Sequence, residues 1–291
     1  MIRIGIIGTD GGIQNGHALS VCNILNSGRY SDVSIVGLYG EDAGETQALA
    51  DLQNISFIAE QPADLLDKVD AVMIMPRNGN KHLSFARPFL EAGLPLFIDK
   101  PFTCTIKDAE ELVSIACKSG SLLCGGSYIK YAPALEELRE RVKAEAEHIL
   151  SGYLSFPILL ESPFGGMHFY SHHAICEMIS VFGLDVEAVS TTLTNGKLVV
   201  VAHYADFPVI INYASLQGKF HTGLYFDNQP SIMKTLDEED CDAKQCDMFL
   251  NMVRTGIGDE KEELLLSVKI SNAIEQSIKT GRIVRINELF I

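Results

Sequence analysis

Positive charge is scarce in this chain of 291 residues: 23 lysines and arginines stand against 38 aspartates and glutamates, a net charge of −15. So acidic a surface repels phosphate backbones and anionic lipid, which argues against nucleic acid and membranes as partners. Long apolar runs are also missing. None approaches the roughly 20 consecutive apolar residues of a membrane span, and the β-like start after Arg3 has no small-residue cleavage site, so a cytoplasmic protein is expected. The seven cysteines (22, 104, 117, 124, 176, 241 and 246) include no paired Cys-x-x-Cys spacing for zinc or redox work, and reduced thiols are expected. Repeats, low-complexity tracts and long linkers are absent as well. What remains is a globular protein of one or two domains acting on a small molecule.

Short β-branched runs at 3–7, 34–38, 55–58, 71–75, 96–98 and 122–124 alternate with helical periodicity at 16–27, 43–52, 62–67, 79–92 and 105–119. Six strands with intervening helices predict a parallel, doubly wound sheet complete by about residue 126. The pattern then changes. Runs at 150–156, 186–194, 197–204, 207–214 and 219–226 follow one another with few helices between, and Asn195-Gly196 supplies a hairpin turn, so the second half is expected to be an α/β domain on a mostly antiparallel sheet. Helices are expected at 133–146, 169–182, 241–254 and 260–280, with a last short strand at 283–286. The expected domains are therefore 1–126 and 127–291.

The first strand runs into Gly8-Thr9-Asp10-Gly11-Gly12, with Gly16 opening the next helix. Glycines there let backbone N–H groups and a helix N-terminus meet a pyrophosphate. Asp10 stands where a dinucleotide fingerprint has its middle glycine, so an ordinary strand-to-helix turn remains the alternative, and a carboxylate at that place must point away or cap the helix. After the second strand, Glu41 is the candidate for the ribose hydroxyls; a carboxylate there repels a 2′-phosphate, which favours NAD over NADP.

Asp99-Lys100-Pro101 ends the apolar run Leu94 to Ile98, placing a lysine at the carboxyl end of a strand, where open α/β sheets bind ligands. Taken with the glycine turn, Gly152, a histidine ten residues before Gly183, and the closing Ala273-Ile274-Glu275-Gln276-Ser277 to Thr280-Gly281-Arg282, the chain resembles the glucose-fructose oxidoreductase and inositol dehydrogenase (Gfo/Idh/MocA) family over nearly its whole length. The resemblance implies a Rossmann domain followed by an α/β domain on an open sheet, and oxidation of sugars, inositols or related compounds with NAD or NADP. It makes Lys100 the active-site lysine, matches Asp99-Lys100-Pro101 to the family's Glu-Lys-Pro, and puts Gly8, Thr9, Gly11, Gly12, Pro76, Asp99 and Lys100 at the cofactor.

The resemblance also implies His173 as catalytic base, with His172 the competing assignment. The family's aspartate four residues earlier is Phe169 here, and its carboxylate three residues later is Cys176, with Glu177 next to it. Tyr128, Lys130, Tyr131, His172 and Glu177 are candidates to contact substrate, Lys100 and His173 the pair that handles charge and proton during hydride transfer. His17 and His82 are candidates near the cofactor turn and the 76–78 loop. Two further expectations belong to other classes. His168, His172 and Cys176 fall on one helical face and could ligate zinc for a lyase or hydrolase; or the scaffold binds cofactor as a sensor without turnover. Outward-facing Val199, Val201, Ile210 and Tyr213 point to a homodimer or homotetramer through the second sheet.

Overall fold

The structure, a computed structural model, describes residues 1–214 and 220–289. The chain divides into two compact units: 1–103, 107–126 and 242–264 form the first, and 104–106, 127–241 and 265–291 the second.

The first unit carries five parallel strands, β1 (Ile2–Ile7), β2 (Val33–Tyr39), β3 (Ala71–Ile74), β4 (Leu96–Asp99) and β5 (Leu123–Gly126), in the order β2-β1-β3-β4-β5. Helices α1 (Gly12–Asn15), α2 (His17–Leu25), α3 (Ala43–Gln53), α4 (His82–Glu91) and α5 (Ile106–Ser119) connect them. β3, β4 and β5 are buried at every position, as a parallel sheet covered on both faces requires. The expected strand at 55–58 is not one. Asn54 leaves α3 in the left-handed conformation (φ 55°) and Pro62 opens a 3-10 turn, so the segment makes only the isolated bridge Leu38 to Ile58. The helix expected at 16–27 is α2, and the short α1 precedes it, divided from it at Gly16, whose φ of −81° and ψ of 144° are extended.

The second unit has α6 (Leu135–Glu145), β6 (Ile149–Pro157), α7 (His168–Phe182), β7 (Ala188–Thr194), β8 (Lys197–His203), β9 (Pro208–Ala214), β10 (His221–Phe226) and β11 (Ile232–Thr235). α8 (Cys241–Thr255) returns to the first unit, α9 (Lys261–Thr280) follows, and β12 (Val284–Arg285) closes a seven-stranded sheet of order β11-β10-β6-β9-β8-β7-β12. Its pairings are antiparallel except β6 with β9, which is parallel. Lys219, in the expected 219–226 run, lies outside the described residues.

Alternation along β8 and β9 sends Leu198, Val200, Val209, Ile211 and Tyr213 into the core under α7, while Val199, Val201 and Ile210 face the other way and are half-buried. Tyr213 was expected on the outer face. It shares parity with Ile211 rather than Ile210, is 1% exposed, and donates its hydroxyl hydrogen to Ser171 O at 3.0 Å. In the first unit, α8 sets Phe249 edge-on against Phe97 (6.1 Å between ring centroids), and Cys246, Leu250 and Met252 join the same core.

Candidate active site

In the first sheet the order reverses between β1 and β3, and the glycine turn leaves β1 at that point. Gly8 is tied to β2 by its N–H to Tyr39 O (2.8 Å), and Met75 N–H donates to Ile7 O (2.6 Å). A Cβ on Gly8, at φ 93°, would lie 2.3 Å from Pro76 N, so only glycine lets the turn sit against the β3 loop. This juxtaposition of Gly8, Thr9, Gly11, Gly12 and Pro76 at a switch point is the crevice in which doubly wound sheets bind nucleotides.

The carboxylates around the turn have definite partners. Asp10 Oδ2 accepts from Arg77 N–H at 3.0 Å, so its charge is drawn toward the 76–78 loop. Glu45, which sequence reasoning missed, accepts from Gly11 N–H at 3.0 Å from the first turn of α3. Glu41, the candidate for the ribose, is 46% exposed and ion-paired with Lys81. At Gly40 a Cβ would lie 1.9 Å from Thr9 Oγ1, because buried Thr9 and Thr46 hydrogen-bond there at 2.7 Å. The backbone thus fits a dinucleotide's pyrophosphate, with the Glu45 carboxylate holding one of the N–H groups such an anion would use.

At the end of β4, Asp99 and Lys100 are each 3% exposed. Burial pushes the Asp99 carboxyl up, but His17 and then Lys100 more than offset it, and its pKa ends below the ordinary value. The carboxylate is therefore ionised, and His17 Nδ1–H donates to Asp99 Oδ2 at 2.6 Å. His82 is wholly buried between two carbonyl oxygens, with Nε2 2.8 Å from Pro76 O and Nδ1 3.1 Å from Phe102 O. Burial pushes its pKa down, so the neutral ring has one N–H, and the shorter contact, to Pro76, takes it. His82 in this way links the 76–78 loop to the segment that follows Lys100.

In the second unit His173 lies in the first turns of α7, 8% exposed, with Nδ1 2.7 Å from the hydroxyl of Ser127. The Tyr128 ring meets it edge-on at 5.7 Å, Tyr170 flanks it at 6.0 Å, and the Tyr128 hydroxyl donates to Glu238 at 2.5 Å. Phe169, at the position of the expected aspartate, packs against Phe164 and Tyr170. Lys130 is 3% exposed with its ammonium over the Tyr131 ring. Ser127 was not legible as a site residue, since its only sequence signal is as the cap of the Tyr128–Tyr131 turn.

Two expected substrate contacts turn inward instead. Glu177 is fully buried on the core-facing side of α7, where Thr222 donates to its Oε1 and its Oε2 has no hydrogen-bond partner among the described residues. Burial lifts its pKa to about 8. His172 is also fully buried and donates from Nδ1 to His168 O at 2.8 Å. The zinc arrangement fails for the same reason: His168 directs Nδ1 to Ser271 Oγ (2.6 Å), and among the described residues no group of three such side chains is arranged to hold a metal.

Residues 2–127 match the model of an oxidoreductase family with an NAD-binding Rossmann fold. Over this stretch, less than half of its length, the chain is similar to the Gfo/Idh/MocA family. Among curated relatives it is 26% identical over 122 residues to the uncharacterised oxidoreductase YdgJ of Escherichia coli K12, a match covering 42% of this chain and 33% of that protein. It is 28% identical over 141 residues to UDP-N-acetylglucosamine 3-dehydrogenase of Acidithiobacillus ferrooxidans, covering 48% of this chain and 41% of that one. The chain spans half or less of the length of these curated relatives. In fold the chain is similar to scyllo-inositol dehydrogenase of Lactobacillus casei, solved with NAD(H) and scyllo-inositol: the TM-score is 0.82 at 14% identity, covering 99% of this chain and 100% of that one. No helix among the described residues is long and apolar enough to cross a membrane.

Proposed function

We propose that this protein is an NAD-dependent oxidoreductase that moves a hydride between nicotinamide and a hydroxyl-bearing carbon of a sugar, cyclitol or related compound. The observation that carries this is the buried Lys100, held beside the His17–Asp99 pair at the end of β4 in a sheet whose glycine turn opens at the switch point. In this reading Gly8, Thr9, Gly11, Gly12, Pro76 and Asp99 form the cofactor side and Glu41 meets the ribose. NAD, when bound, would supply the hydride acceptor or donor; Lys100 would hold negative charge developing on the substrate oxygen, and His173 would exchange the hydroxyl proton with that oxygen. Tyr128 and Lys130 are the substrate contacts that complete this assignment. UDP-N-acetylglucosamine and scyllo-inositol, named with the relatives, support the polyhydroxy substrate class. None of the seven cysteines is in a disulfide, which supports action in a reducing cytoplasm.

The test is a calorimetric titration of cofactor-stripped protein with NAD, NADH, NADP and NADPH, followed by a panel of sugars and cyclitols. Micromolar NAD(H), weaker NADP(H) and turnover on a panel member are expected. Absence of binding by all four removes the dehydrogenase assignment. A cofactor-binding sensor is the second reading, favoured by Phe169 at the aspartate position, and binding without turnover across the panel decides for it.

A further inference from the structure

Ser127 is fully buried and its hydroxyl oxygen makes two hydrogen bonds. It accepts from Ile129 N–H at 3.3 Å, and it meets His173 Nδ1 at 2.7 Å. A hydroxyl carries one hydrogen, and among the described residues Nδ1 is the acceptor that faces this one. Leaving a buried O–H without an acceptor costs about 1–3 kcal/mol, so the hydroxyl donates to Nδ1. A neutral imidazole that accepts at Nδ1 carries its own proton on Nε2. The Tyr128 and Tyr170 rings pack on the imidazole and hold its plane.

We propose that Ser127 is a positioning residue that fixes His173 as the Nε2–H tautomer, so that His173 meets the reacting oxygen of the substrate as a hydrogen-bond donor. The substrate half of this statement rests on the function proposed above. A carbonyl oxygen, which can only accept, is the group such a ring recognises best, so the keto form of the sugar or cyclitol is the better-matched ligand. To take a proton from a hydroxyl, His173 must first present a bare Nε2, which requires the ring proton on Nδ1 and the Ser127 hydrogen turned away from it. The side chain where the family has an aspartate, Phe169, has no acceptor to favour that alternative.

The test is a long-range nitrogen–proton NMR spectrum of the full chain labelled with 15N-histidine, at a pH where the ring is neutral. His173 is assigned by its disappearance in His173→Gln. The expected pattern is Nε2–H with a hydrogen-bonded Nδ1, retained in Ser127→Thr. In Ser127→Ala the Nδ1 resonance moves to the position of a nitrogen without a donor. An Nδ1–H ring in the unaltered protein overturns the proposal, as does an Nδ1 resonance unmoved in Ser127→Ala; if that variant fails to fold, the unaltered protein and Ser127→Thr still decide. An Nε2–H ring in a protein that binds no NAD leaves the tautomer standing and overturns only its substrate role.

Discussion

Lys100 differs from a surface lysine in being 3% exposed and in sharing its surroundings with an ionised Asp99. A buried ammonium stabilises charge on a bound oxygen more strongly than one in water can. Lys100→Ala is expected to lower turnover at least about 100-fold while shifting the unfolding midpoint little, measured by steady-state kinetics beside thermal melts; near-normal turnover removes Lys100 from the chemistry. Glu45 acts in the opposite sense. Its carboxylate sits on the Gly11 N–H, so Glu45→Gln keeps an acceptor there while removing a charge that opposes pyrophosphate. About tenfold tighter NAD binding is expected, a difference of about 1.4 kcal/mol, and calorimetry showing equal or weaker binding would mean the carboxylate organises the turn instead. The place of Lys100 at the end of β4 was legible in the sequence because proline and an apolar strand frame it. Glu45, Thr46 and Ser127 were not, because each gains its role from a partner 34 to 46 residues away.

At the scale of elements, α7 stores a titrating group in its core-facing side. Glu177 has its pKa raised to about 8 by burial, with Thr222 and Arg139 opposing only part of that rise. A carboxyl protonated in the folded protein but ionised in the unfolded chain contributes stability that is fully present below about pH 4.3. That contribution is lost as pH rises through 8. The loss is on the order of 5 kcal/mol at most. Glu177→Gln, neutral at every pH, is expected to flatten the dependence and to be the more stable form above pH 8; urea unfolding of both proteins at about pH 5 and about pH 9 measures it. Parallel slopes in the two would place the titration elsewhere. The strands were legible where β-branched residues alternate or run together, as in β1, β8 and β9. The segment 55–58 misled because a short apolar run is bounded by breakers whether or not a neighbouring strand has free edge to pair with it. β11 was missed for the converse reason: its Lys234 and Thr235 carry no apolar alternation, and the strand exists through pairing with β10.

For the whole molecule, sequence order and spatial grouping part company: α8, late in the chain, supplies Phe249 and Leu250 to the core of the first unit, and the one parallel pair of the second sheet joins β6 to β9 across three intervening elements. Neither is visible locally, since both depend on contacts distant in sequence. The same sheet gives the last expectation. Val199, Val201 and Ile210 project from its outer face, opposite the core-facing Val200, Val209 and Ile211, and the face also holds the Asn212–Tyr153 hydrogen bond at 3.3 Å. An apolar patch with polar groups within it is suited to a partner of its own kind, so we propose association through this face into a dimer or tetramer. A chain of 31.9 kDa should then sediment at a multiple of that mass at micromolar concentration. Ile210→Asp places a charge in the middle of the patch without touching the core side of β9, and is expected to shift the protein to monomer with its thermal midpoint little changed. If the unaltered protein already sediments as a monomer, the face is not an interface; if Ile210→Asp remains assembled, the contact lies on another surface.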